Sequence, residues 1–381
     1  MKTRAAVLRG INTEWSIEDI DLDPPKHGEV VVRIAGAGLC HSDEHLVTGD
    51  MLPDPSFAPM VFPMVGGHEA AGEVVEVGPE VRSLQAGDHV VLSFIPACGR
   101  CQPCAKGQQH LCDLGQFALT GRQISDMTSR HHDAEGKDLG LMCCVGTFAE
   151  HTVVNEASCI KIDPWIPLET AALLGCGVTT GWGSAVYAAG VTPGDTVVVV
   201  GLGGIGMNAV QGARIAGARN IVAVDEVEWK REAAETTFGA THTASSIEQA
   251  ASIVNKVTWG ANAEKAILTT GVATGDLIAP LLGLVAKGGR AVVTAVAPMS
   301  QGKVDLNLWD LTMNRKELVG CIFGNANPRR DIVRLLRLWE QGQLLLDELV
   351  TQRYPLERIN DGYADLRAGK NLRGLISFSA A

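Results

Sequence analysis

Four cysteines lie close together in the first third of the chain: Cys98, Cys101, Cys104 and Cys112. Two gaps of two residues and one of seven separate them, and the gaps hold Gly, Arg, Gln, Pro and Lys, which are typical of an exposed turn. Four thiolates at this spacing bind one Zn²⁺ in a closed tetrahedral site with no room for a substrate. The alternative, four unrelated buried cysteines, fits the polar composition of the segment poorly. The spacing therefore predicts a structural zinc site.

A second set of metal-capable residues lies in three glycine-bounded segments that are far apart in sequence. Cys40 occurs in GLCHSDEH, His68 in GGHEAAG and Cys176 in LLGCGVTTGWG. Two thiolates and one imidazole leave the fourth position of a zinc ion open, which is the arrangement of a catalytic zinc. Taken singly, each cysteine is better explained as a small buried apolar residue and the histidine as a hydrogen-bonded core residue. Residue type alone leaves both interpretations open.

A glycine-rich turn follows the apolar strand TVVVV and opens a helix, which is the context in which a G-x-G-x-x-G fingerprint binds a dinucleotide. A second apolar segment, NIVAVD, ends in Asp225, at about the spacing expected for the acid that binds the ribose. Because a carboxylate there accepts hydrogen bonds from the 2′-hydroxyl and repels a 2′-phosphate, Asp225 favours NAD over NADP. The alternative for Asp225 is a solvent-facing acid at a strand end. The predicted cofactor turn comprises Gly201, Gly203, Gly204, Ile205 and Gly206.

The segments that carry these residues differ along the chain. The first third holds β-branched runs bounded by Gly, Pro or Asp, such as EVVVRIAGAGL and AAGEVVEVG, and is predicted to be β-rich. From about Val178, apolar strands alternate with helical segments, which indicates an α/β domain with a doubly wound parallel sheet. After about Gly320, further helices and strands are predicted to return to the first domain. The polar stretch 116–141 is predicted to be loop.

Length and composition limit the function classes. The chain has 381 residues, more than one hydrophobic core usually supports, so at least two domains are expected. A formal net charge of −11 repels phosphate backbones and anionic lipid headgroups, so nucleic-acid and membrane partners are not expected. The N-terminus has no apolar signal region, and no stretch is long enough for a membrane span. Ten cysteines with C-x-x-C spacing fit a reducing compartment, and the expected location is cytoplasmic.

Five motifs, spread over essentially the whole chain, resemble those of the zinc-dependent medium-chain alcohol dehydrogenases. In chain order they are GLCHSDEHLVTGD, FPMVGGHEAAGEVVEVG, CGRCQPCAKGQQHLC, LLGCGVTTGWGSAV and VVVVGLGGIG. Within that family, SFIPACGRC, TVVNEAS and AVDEVEWKRE are most similar to the bacterial nitrosodimethylaniline (NDMA)-dependent alcohol dehydrogenases, a group that holds its NAD(H) tightly. The resemblance implies a GroES-like catalytic domain formed by residues 1–177 and 321–381, and a Rossmann NAD-binding domain formed by residues 178–320.

The resemblance also implies roles for single residues around two Zn²⁺ ions per chain. Cys40, His68 and Cys176 match the ligands of the catalytic zinc, and the four clustered cysteines match the structural zinc. Asp43 matches the carboxylate that orients the His68 imidazole, a function that metal-binding histidines usually need filled. The resemblance thus assigns the two cysteine-containing sets to different tasks, one chemical and one structural.

Ser42 and His45 match the relay that carries the alcohol proton through the cofactor ribose to solvent, and histidine suits this role because it changes charge near neutral pH. Glu69 matches the acid behind the metal, which in the family pairs with an arginine near the C-terminus, here Arg373. His41 stands where many relatives place an arginine for the cofactor pyrophosphate. Because histidine is only partly charged near neutral pH, Arg373 is expected to carry more of the phosphate contact.

Three further contacts follow from the resemblance: Thr180 beside the nicotinamide, Lys230 at the adenosine ribose and Phe94 in the substrate channel. A solvated helix lysine is the alternative for Lys230. The implied activity is reversible oxidation of a primary or secondary alcohol to an aldehyde or ketone, with hydride transfer to NAD, by a homodimer or homotetramer. The alternatives are a thiol-dependent formaldehyde dehydrogenase of the same fold and a non-enzymatic relative, which the intact metal and serine set argues against.

Overall fold

The computed structural model describes residues 1–51 and 62–378, and their contacts separate two compact units. The first unit consists of Met1–Cys176, Asn327–Leu338 and the chain from Leu346 onward. The second unit consists of Gly177–Ala326 and Trp339–Leu345. Within the described residues, none of the helices combines the length and apolar character that crossing a bilayer requires.

The first unit begins with a series of strands, because its segments are rich in β-branched residues that pack well on a pleated surface. The strands are β1 (Lys2–Leu8), β2 (Trp15–Leu22), β3 (Glu29–Gly38), β4 (Met64–Val65), β5 (Ala70–Val77), β6 (His89–Leu92), β7 (His131–His132), β8 (Gly140–Leu141), β9 (His151–Asn155) and β10 (Cys159–Ile162). Short helices connect them: α1 (His41–Thr48), α2 (Gln102–Ala105) and α3 (Leu168–Ala172). In the described part of the chain, one sheet has the order β7-β2-β1-β4-β8.

The second unit alternates strands and helices, and its strands form a parallel sheet. The strands are β11 (Thr196–Val200), β12 (Asn220–Val224), β13 (His242–Ala244), β14 (Ala263–Leu268), β15 (Val285–Val293) and β16 (Glu317–Gly320). The helices are α4 (Gly177–Gly183), α5 (Gly204–Ile215), α6 (Glu228–Ala233), α7 (Ile247–Val257), α8 (Ile278–Gly283) and α9 (Leu308–Met313). The sheet order β13-β12-β11-β14-β15-β16 is that of a dinucleotide-binding Rossmann fold, which confirms the predicted α/β class.

The C-terminal segment returns to the first unit. It contains α10 (Pro328–Glu340), β17 (Val350–Tyr354), α11 (Ile359–Arg367) and β18 (Arg373–Ser377). Strand β18 pairs antiparallel with β3 and parallel with β17, so that the second sheet of this unit has the order β10-β6-β5-β3-β18-β17, with β9 also pairing with β3. The last strand of the chain therefore lies inside a sheet that the first third of the sequence begins.

Two segments that the sequence assigns to the catalytic domain, 321–326 and 339–345, group with the second unit instead. A Cβ on Gly324 would lie 2.5 Å from the carbonyl oxygen of Thr179 in α4, so this turn packs directly on the helix backbone. The backbone of Leu345 exchanges hydrogen bonds of 2.8 and 3.0 Å with the side chain of Gln211 in α5. These contacts involve backbone atoms and one side-chain amide. Such contacts produce no hydrophobic pattern in the sequence, so the sequence does not indicate that the two segments belong to the second unit.

The polar stretch 116–141, predicted to be loop, contains β7 and β8 and is attached to β3 by a buried ion pair. Arg130 and Glu29 are both fully buried. The guanidinium Nη2 lies 2.8 Å from Glu29 Oε1 and Nε lies 2.9 Å from Oε2, so the pair is bidentate. Arg130 also lies 3.0 Å from the partly exposed Asp126 carboxylate, whereas the Glu29 carboxylate has no other charged partner among the described contacts.

We predict that Arg130→Met lowers the free energy of unfolding of the first unit by about 3 kcal/mol, because it leaves the Glu29 carboxylate buried without a counter-charge. Urea titration followed by circular dichroism measures the loss. The double variant Glu29→Met/Arg130→Met removes both charges and is expected to lose much less. Equal losses in the single and double variants would show that the unpaired Glu29 charge is not what destabilises Arg130→Met.

Candidate active site

Three buried ligand atoms, on Cys40, His68 and Cys176, come within 4.8 Å of one another in the first unit. Cys40 follows β3 and begins α1, His68 lies just before β5, and Cys176 ends a short 3₁₀ turn after α3. The structure thus brings together the three residues that the sequence indicated as a second metal-capable set. Glycines allow the approach, because a Cβ on Gly38 would collide with the Glu69 carboxylate and one on Gly175 with the Leu92 carbonyl oxygen.

The two thiols of this set make it a cation site. A hydrogen bond from the Cys176 thiol, together with the Arg373 charge and His68, lowers the pKa of Cys40 well below its ordinary value. The same hydrogen bond, with burial, raises the pKa of Cys176, so the protein alone favours only one thiolate. Two buried thiolates therefore need a further positive charge between them. Two cysteines and one histidine are ligands that Zn²⁺ prefers, so the donor set fits this ion.

Asp43 holds the His68 ring. Its fully buried carboxylate accepts a 2.8 Å hydrogen bond from the Gly67 N–H through Oδ1, while Oδ2 lies 3.0 Å from His68 Nδ1. Burial opposes a charged imidazole, but Asp43 and Cys40 outweigh it and raise the pKa of His68. Nε2 has no hydrogen-bond partner within the described residues, so it is the nitrogen available to a metal. The predicted pocket residue Phe94 meets the His68 ring edge-on, with the ring centroids 5.7 Å apart.

Glu69 and Arg373 form a buried ion pair behind the thiols, with Arg373 Nη2 2.8 Å from Glu69 Oε2. The Arg373 Nη1 atom also donates a 3.2 Å hydrogen bond to the carbonyl oxygen of Leu39. Burial disfavours the guanidinium charge, but Glu69, Cys40 and Cys176 outweigh it and raise the pKa of Arg373. The structure thus places Arg373 on Glu69, while its contact with a cofactor phosphate stays a prediction.

Helix α1 carries the residues predicted to move a proton. Ser42 Oγ lies 3.7 Å from Cys40 Sγ, and His45 is buried near the end of the helix. His41 is exposed at the first helical position. The Asp50 carboxylate lies 3.3 Å from His45 Nδ1 and was not identified from the sequence. The only indication of Asp50 in the sequence is the Thr-Gly-Asp segment at the helix end, a composition that is typical of a turn.

The clustered cysteines Cys98, Cys101, Cys104 and Cys112 also meet. The sulfur atoms of Cys98 and Cys104 are 3.9 Å apart, and those of Cys101 and Cys112 are 3.8 Å apart. A tetrahedron with Zn–S distances of about 2.3 Å has edges of about 3.8 Å, so the cluster has the dimensions of a zinc site. Burial raises the pKa of the Cys98 thiol, but hydrogen bonds from the backbone N–H groups of Arg100 and Cys101 outweigh it and lower the pKa to about 7.

The glycine-rich turn joins β11 to α5 in the second unit. Gly201 has a φ of 95°, and a Cβ there would lie 2.7 Å from the Thr270 nitrogen, while a Cβ on Gly206 would collide with the Gly201 carbonyl oxygen. Gly203 caps α5, and a Cβ there would meet nothing within 4 Å. Packing therefore explains two of the glycines but not Gly203. Open space at the start of a twelve-residue helix, whose first turn holds Gly204 and Ile205, fits a cofactor phosphate.

Asp225 follows β12 and is held by the backbone. Its Oδ2 accepts a 2.7 Å hydrogen bond from the Leu202 N–H and its Oδ1 a 2.9 Å bond from the Val227 N–H. Burial, opposed by Asp225, lowers the pKa of Lys230. Arg231, which the sequence did not single out, donates a 2.7 Å hydrogen bond to the Asp225 carbonyl oxygen. These contacts fix the acid that the sequence predicts at the ribose.

Thr180 lies in α4 of the same unit. Its side chain is buried, and its Oγ1 atom has no hydrogen-bond partner among residues 1–51 and 62–378. A buried hydroxyl without a partner is costly, which marks a place where a bound group is expected to complete the bonding. The predicted nicotinamide contact of Thr180 is consistent with this position and stays a prediction.

Comparison with known families agrees with this arrangement. Residues 26–164 match the family model described as the alcohol dehydrogenase GroES-like domain, and residues 204–341 match the zinc-binding dehydrogenase model. The buried Cys–His–Cys set and the Rossmann sheet order thus define a zinc-binding dehydrogenase. The chain belongs to the zinc-binding medium-chain alcohol dehydrogenase family, whose members are oxidoreductases.

Individual relatives are similar over their whole length. The chain is 49% identical, over all of both chains, to the NDMA-dependent alcohol dehydrogenase of Amycolatopsis methanolica. It is 48% identical to alcohol dehydrogenase B of Mycobacterium tuberculosis, over 100% of this chain and 99% of that protein. The benzyl alcohol dehydrogenase structure from Acinetobacter calcoaceticus matches all of both chains with a TM-score of 0.87 at 28% identity. A zinc-binding domain protein from Burkholderia ambifaria matches equally fully, with a TM-score of 0.91 at 32% identity. The family resemblance inferred from the motifs is confirmed.

We predict that Gly203→Ala and Gly206→Ala separate cofactor binding from folding. In Gly203→Ala the new methyl group enters the space where a phosphate would approach, so NAD affinity is expected to fall about tenfold while the melting temperature changes little. Gly206→Ala is expected to lower the melting temperature strongly, because its Cβ meets a backbone oxygen. Thermal unfolding and calorimetric NAD titration measure both effects. Unchanged NAD affinity in a folded Gly203→Ala protein would contradict this assignment.

Proposed function

We propose that this protein is an NAD-dependent zinc alcohol dehydrogenase that oxidises a primary or secondary alcohol reversibly to an aldehyde or ketone. The observation that carries the proposal is the buried set of Cys40, His68 and Cys176, whose donors lie within 4.8 Å of one another and which includes two thiols that need a cation. Three protein donors leave one position of a tetrahedral zinc for a substrate. Three of the relatives described above, which are named alcohol dehydrogenases, support the same activity.

When bound, the zinc would lower the pKa of the alcohol hydroxyl and the NAD would accept the hydride. The chain itself contributes the groups that orient and deprotonate. Asp43 fixes the His68 ring, and the Glu69–Arg373 pair places one compensated positive charge beside the thiols. Ser42, next to Cys40, would accept the hydroxyl proton while giving up its own toward the cofactor ribose, and His45 would pass one proton on to solvent, since histidine exchanges protons readily near neutral pH.

The proposed cofactor is NAD(H), and the preference for NAD over NADP rests on Asp225. Two backbone N–H groups hold its carboxylate at the end of β12, where it would accept hydrogen bonds from ribose hydroxyls and repel a phosphate. Tight retention of NAD(H) is supported by the similarity to a relative named for its dependence on NDMA. Lys230, Thr180, His41 and Arg373 are the further proposed cofactor contacts, and Phe94 is the proposed substrate contact.

The proposal is favoured over a thiol-dependent formaldehyde dehydrogenase of the same fold, because the named relatives carry alcohol dehydrogenase names and none supports that alternative. A simple experiment separates the two. The protein, purified without added nucleotide, is analysed for released NAD(H) and assayed with a panel of alcohols, with NAD or with NDMA as electron acceptor. Turnover of formaldehyde only in the presence of an added thiol would overturn the proposal.

The proposed compartment is the cytosol, and the state of the cysteines supports it. All ten cysteines are free thiols, and six of them belong to the two metal-capable sets. Free thiols persist where glutathione keeps them reduced. Oxidation of the clustered cysteines would also compete with zinc binding, because only the thiolate is a metal ligand.

We further propose that the protein is a homo-oligomer joined through the edge of the second unit. Strand β16 is the last strand of the sheet order within the described chain, so its outer backbone edge pairs with no strand there. The helix directly before it exposes Leu308 (67%), Trp309 (74%) and Met313 (62%). Exposed sheet edges and apolar patches of this kind are normally covered. A second copy related by a two-fold axis would cover both.

We predict two zinc ions per chain in the wild-type protein, measured by elemental mass spectrometry. Cys40→Ser and Cys112→Ser are each expected to lose one ion, but only Cys40→Ser abolishes alcohol oxidation directly, whereas Cys112→Ser lowers the melting temperature because a closed zinc site stiffens its loop. Cys159→Ser, a buried cysteine outside both sets, serves as the control and keeps both ions. One zinc in the wild-type protein would refute the catalytic assignment.

We predict that Trp309→Ser shifts the protein toward monomers, because it removes the largest apolar side chain of the proposed interface. Light scattering over a dilution series measures the molar mass. Trp259→Ser is the matched control, since Trp259 is 86% exposed but follows α7 instead of preceding β16, and its mass is expected to equal that of the wild type. Identical masses for both variants at every concentration would contradict the proposed interface.

A further inference from the structure

The chain turns back sharply at the end of α1. Gly49 adopts a left-handed conformation, with a φ of 84°, and its N–H donates a 3.3 Å hydrogen bond to the Leu46 carbonyl oxygen. The Met51 N–H then donates a 3.2 Å bond to the His45 carbonyl oxygen. These two hydrogen bonds fold the chain back against the last turn of the helix. The residue between Gly49 and Met51 therefore lies beside His45.

That residue is Asp50, and its carboxylate has two partners. Oδ2 lies 3.3 Å from His45 Nδ1 and accepts a 2.7 Å hydrogen bond from the Thr48 hydroxyl. The His45 side chain is only 4% exposed, whereas that of Asp50 is 33% exposed. The carboxylate therefore stands between a buried imidazole and solvent.

Stability of the helix does not explain an acid at this place. The C-terminal end of a helix carries partial negative charge from its free carbonyl groups, so a carboxylate there is unfavourable unless a positive group compensates it. The Thr48 hydrogen bond and His45 nevertheless lower the pKa of Asp50, which keeps it ionised at neutral pH. An ionised acid held against a buried histidine is more readily explained by the chemistry of that histidine.

A carboxylate can only accept hydrogen bonds, so the proton of a neutral His45 ring is placed on Nδ1, and Nε2 keeps the lone pair that can take up a proton. Proton uptake at Nε2 makes a buried imidazolium, which the Asp50 charge stabilises. The imidazolium then releases one proton to water, and the ring returns to the Nδ1–H tautomer that the Asp50 carboxylate favours. One proton enters and one leaves in each cycle, and Asp50 ends as the carboxylate it was at the start.

We propose that Asp50 is a positioning residue of the proton relay, fixing the tautomer of His45 and connecting it to solvent, with Thr48 holding the carboxylate in place. The proposal rests on the proposed alcohol dehydrogenase function and extends its relay beyond Ser42 and His45. Asp50 touches neither a metal ligand nor a reacting atom in the described contacts, and acts through His45 alone.

The test is a double-mutant cycle on kcat. Asp50→Asn, which keeps the shape but not the charge, is expected to lower kcat about tenfold, within the range by which positioned proton-transfer groups act, with the KM for alcohol changed less than about twofold. In the His45→Ala background the same substitution is expected to change nothing, because its effect passes through His45. Thr48→Val should reproduce part of the loss and Thr48→Ser should restore it. Glu44→Gln is the matched control, since it removes a carboxylate of the same helix that instead pairs with Arg367.

Equal losses from Asp50→Asn in the wild-type and His45→Ala backgrounds would overturn the proposal, because the carboxylate would then act through general structure. An active wild-type enzyme with an unaffected Asp50→Asn variant would overturn it as well, while leaving the alcohol dehydrogenase function standing. A folded wild-type protein that oxidises no alcohol would instead overturn the proposed function and this inference together. Melting temperatures of all variants show that each comparison is made between folded proteins.

Discussion

Two thiolates cannot share a buried site without a compensating cation, and the first unit is organised around this constraint. Cys40 and Cys176 shift each other's pKa in opposite directions, which is the response of two acids that compete for one negative charge. Around them the protein places only groups that already have partners: Asp43 holds His68, and Glu69 neutralises Arg373. The charge of the two thiolates themselves equals that of one divalent ion, which fits a buried cation site.

In the second unit, backbone atoms position the residues that are predicted to bind the cofactor. Gly201 and Gly206 are required because a Cβ at either position would collide with backbone atoms of the turn or of the segment after β14. A Cβ on Gly203 would meet no atom within 4 Å, so packing does not require glycine there. Asp225 is fixed by two N–H groups instead of by other side chains, so the direction of its carboxylate is set by the fold itself. Recognition of the cofactor would therefore depend on rigid elements, whereas the proposed proton relay would depend on a short turn after α1.

How far the sequence predicts this protein depends on whether a contact is encoded in local spacing. The cysteine gaps and the glycine turn are local, and the structure brings their residues together as the spacing indicates. The Arg130–Glu29 pair joins residues about a hundred positions apart and is buried within a stretch whose polar composition is typical of a loop. Asp50 was missed because its role depends on a left-handed Gly49 that turns the chain back. The grouping of 321–326 and 339–345 with the second unit depends on contacts that backbone atoms of Gly324 and Leu345 make, and such contacts leave no pattern in the sequence.

The position of β18 has a consequence for the order in which the protein is made. This strand lies between β3 and β17 and carries Arg373, and it is synthesised after all of β3 and after most of the second unit. Strand β9 already pairs with one half of β3, at 29–33, whereas the other end, at 36–38, has to wait for β18. Cys40, His68 and Cys176 are therefore synthesised before the guanidinium that pairs with Glu69. The full set of buried charges around these three residues exists only once β18 has been made and has paired with β3.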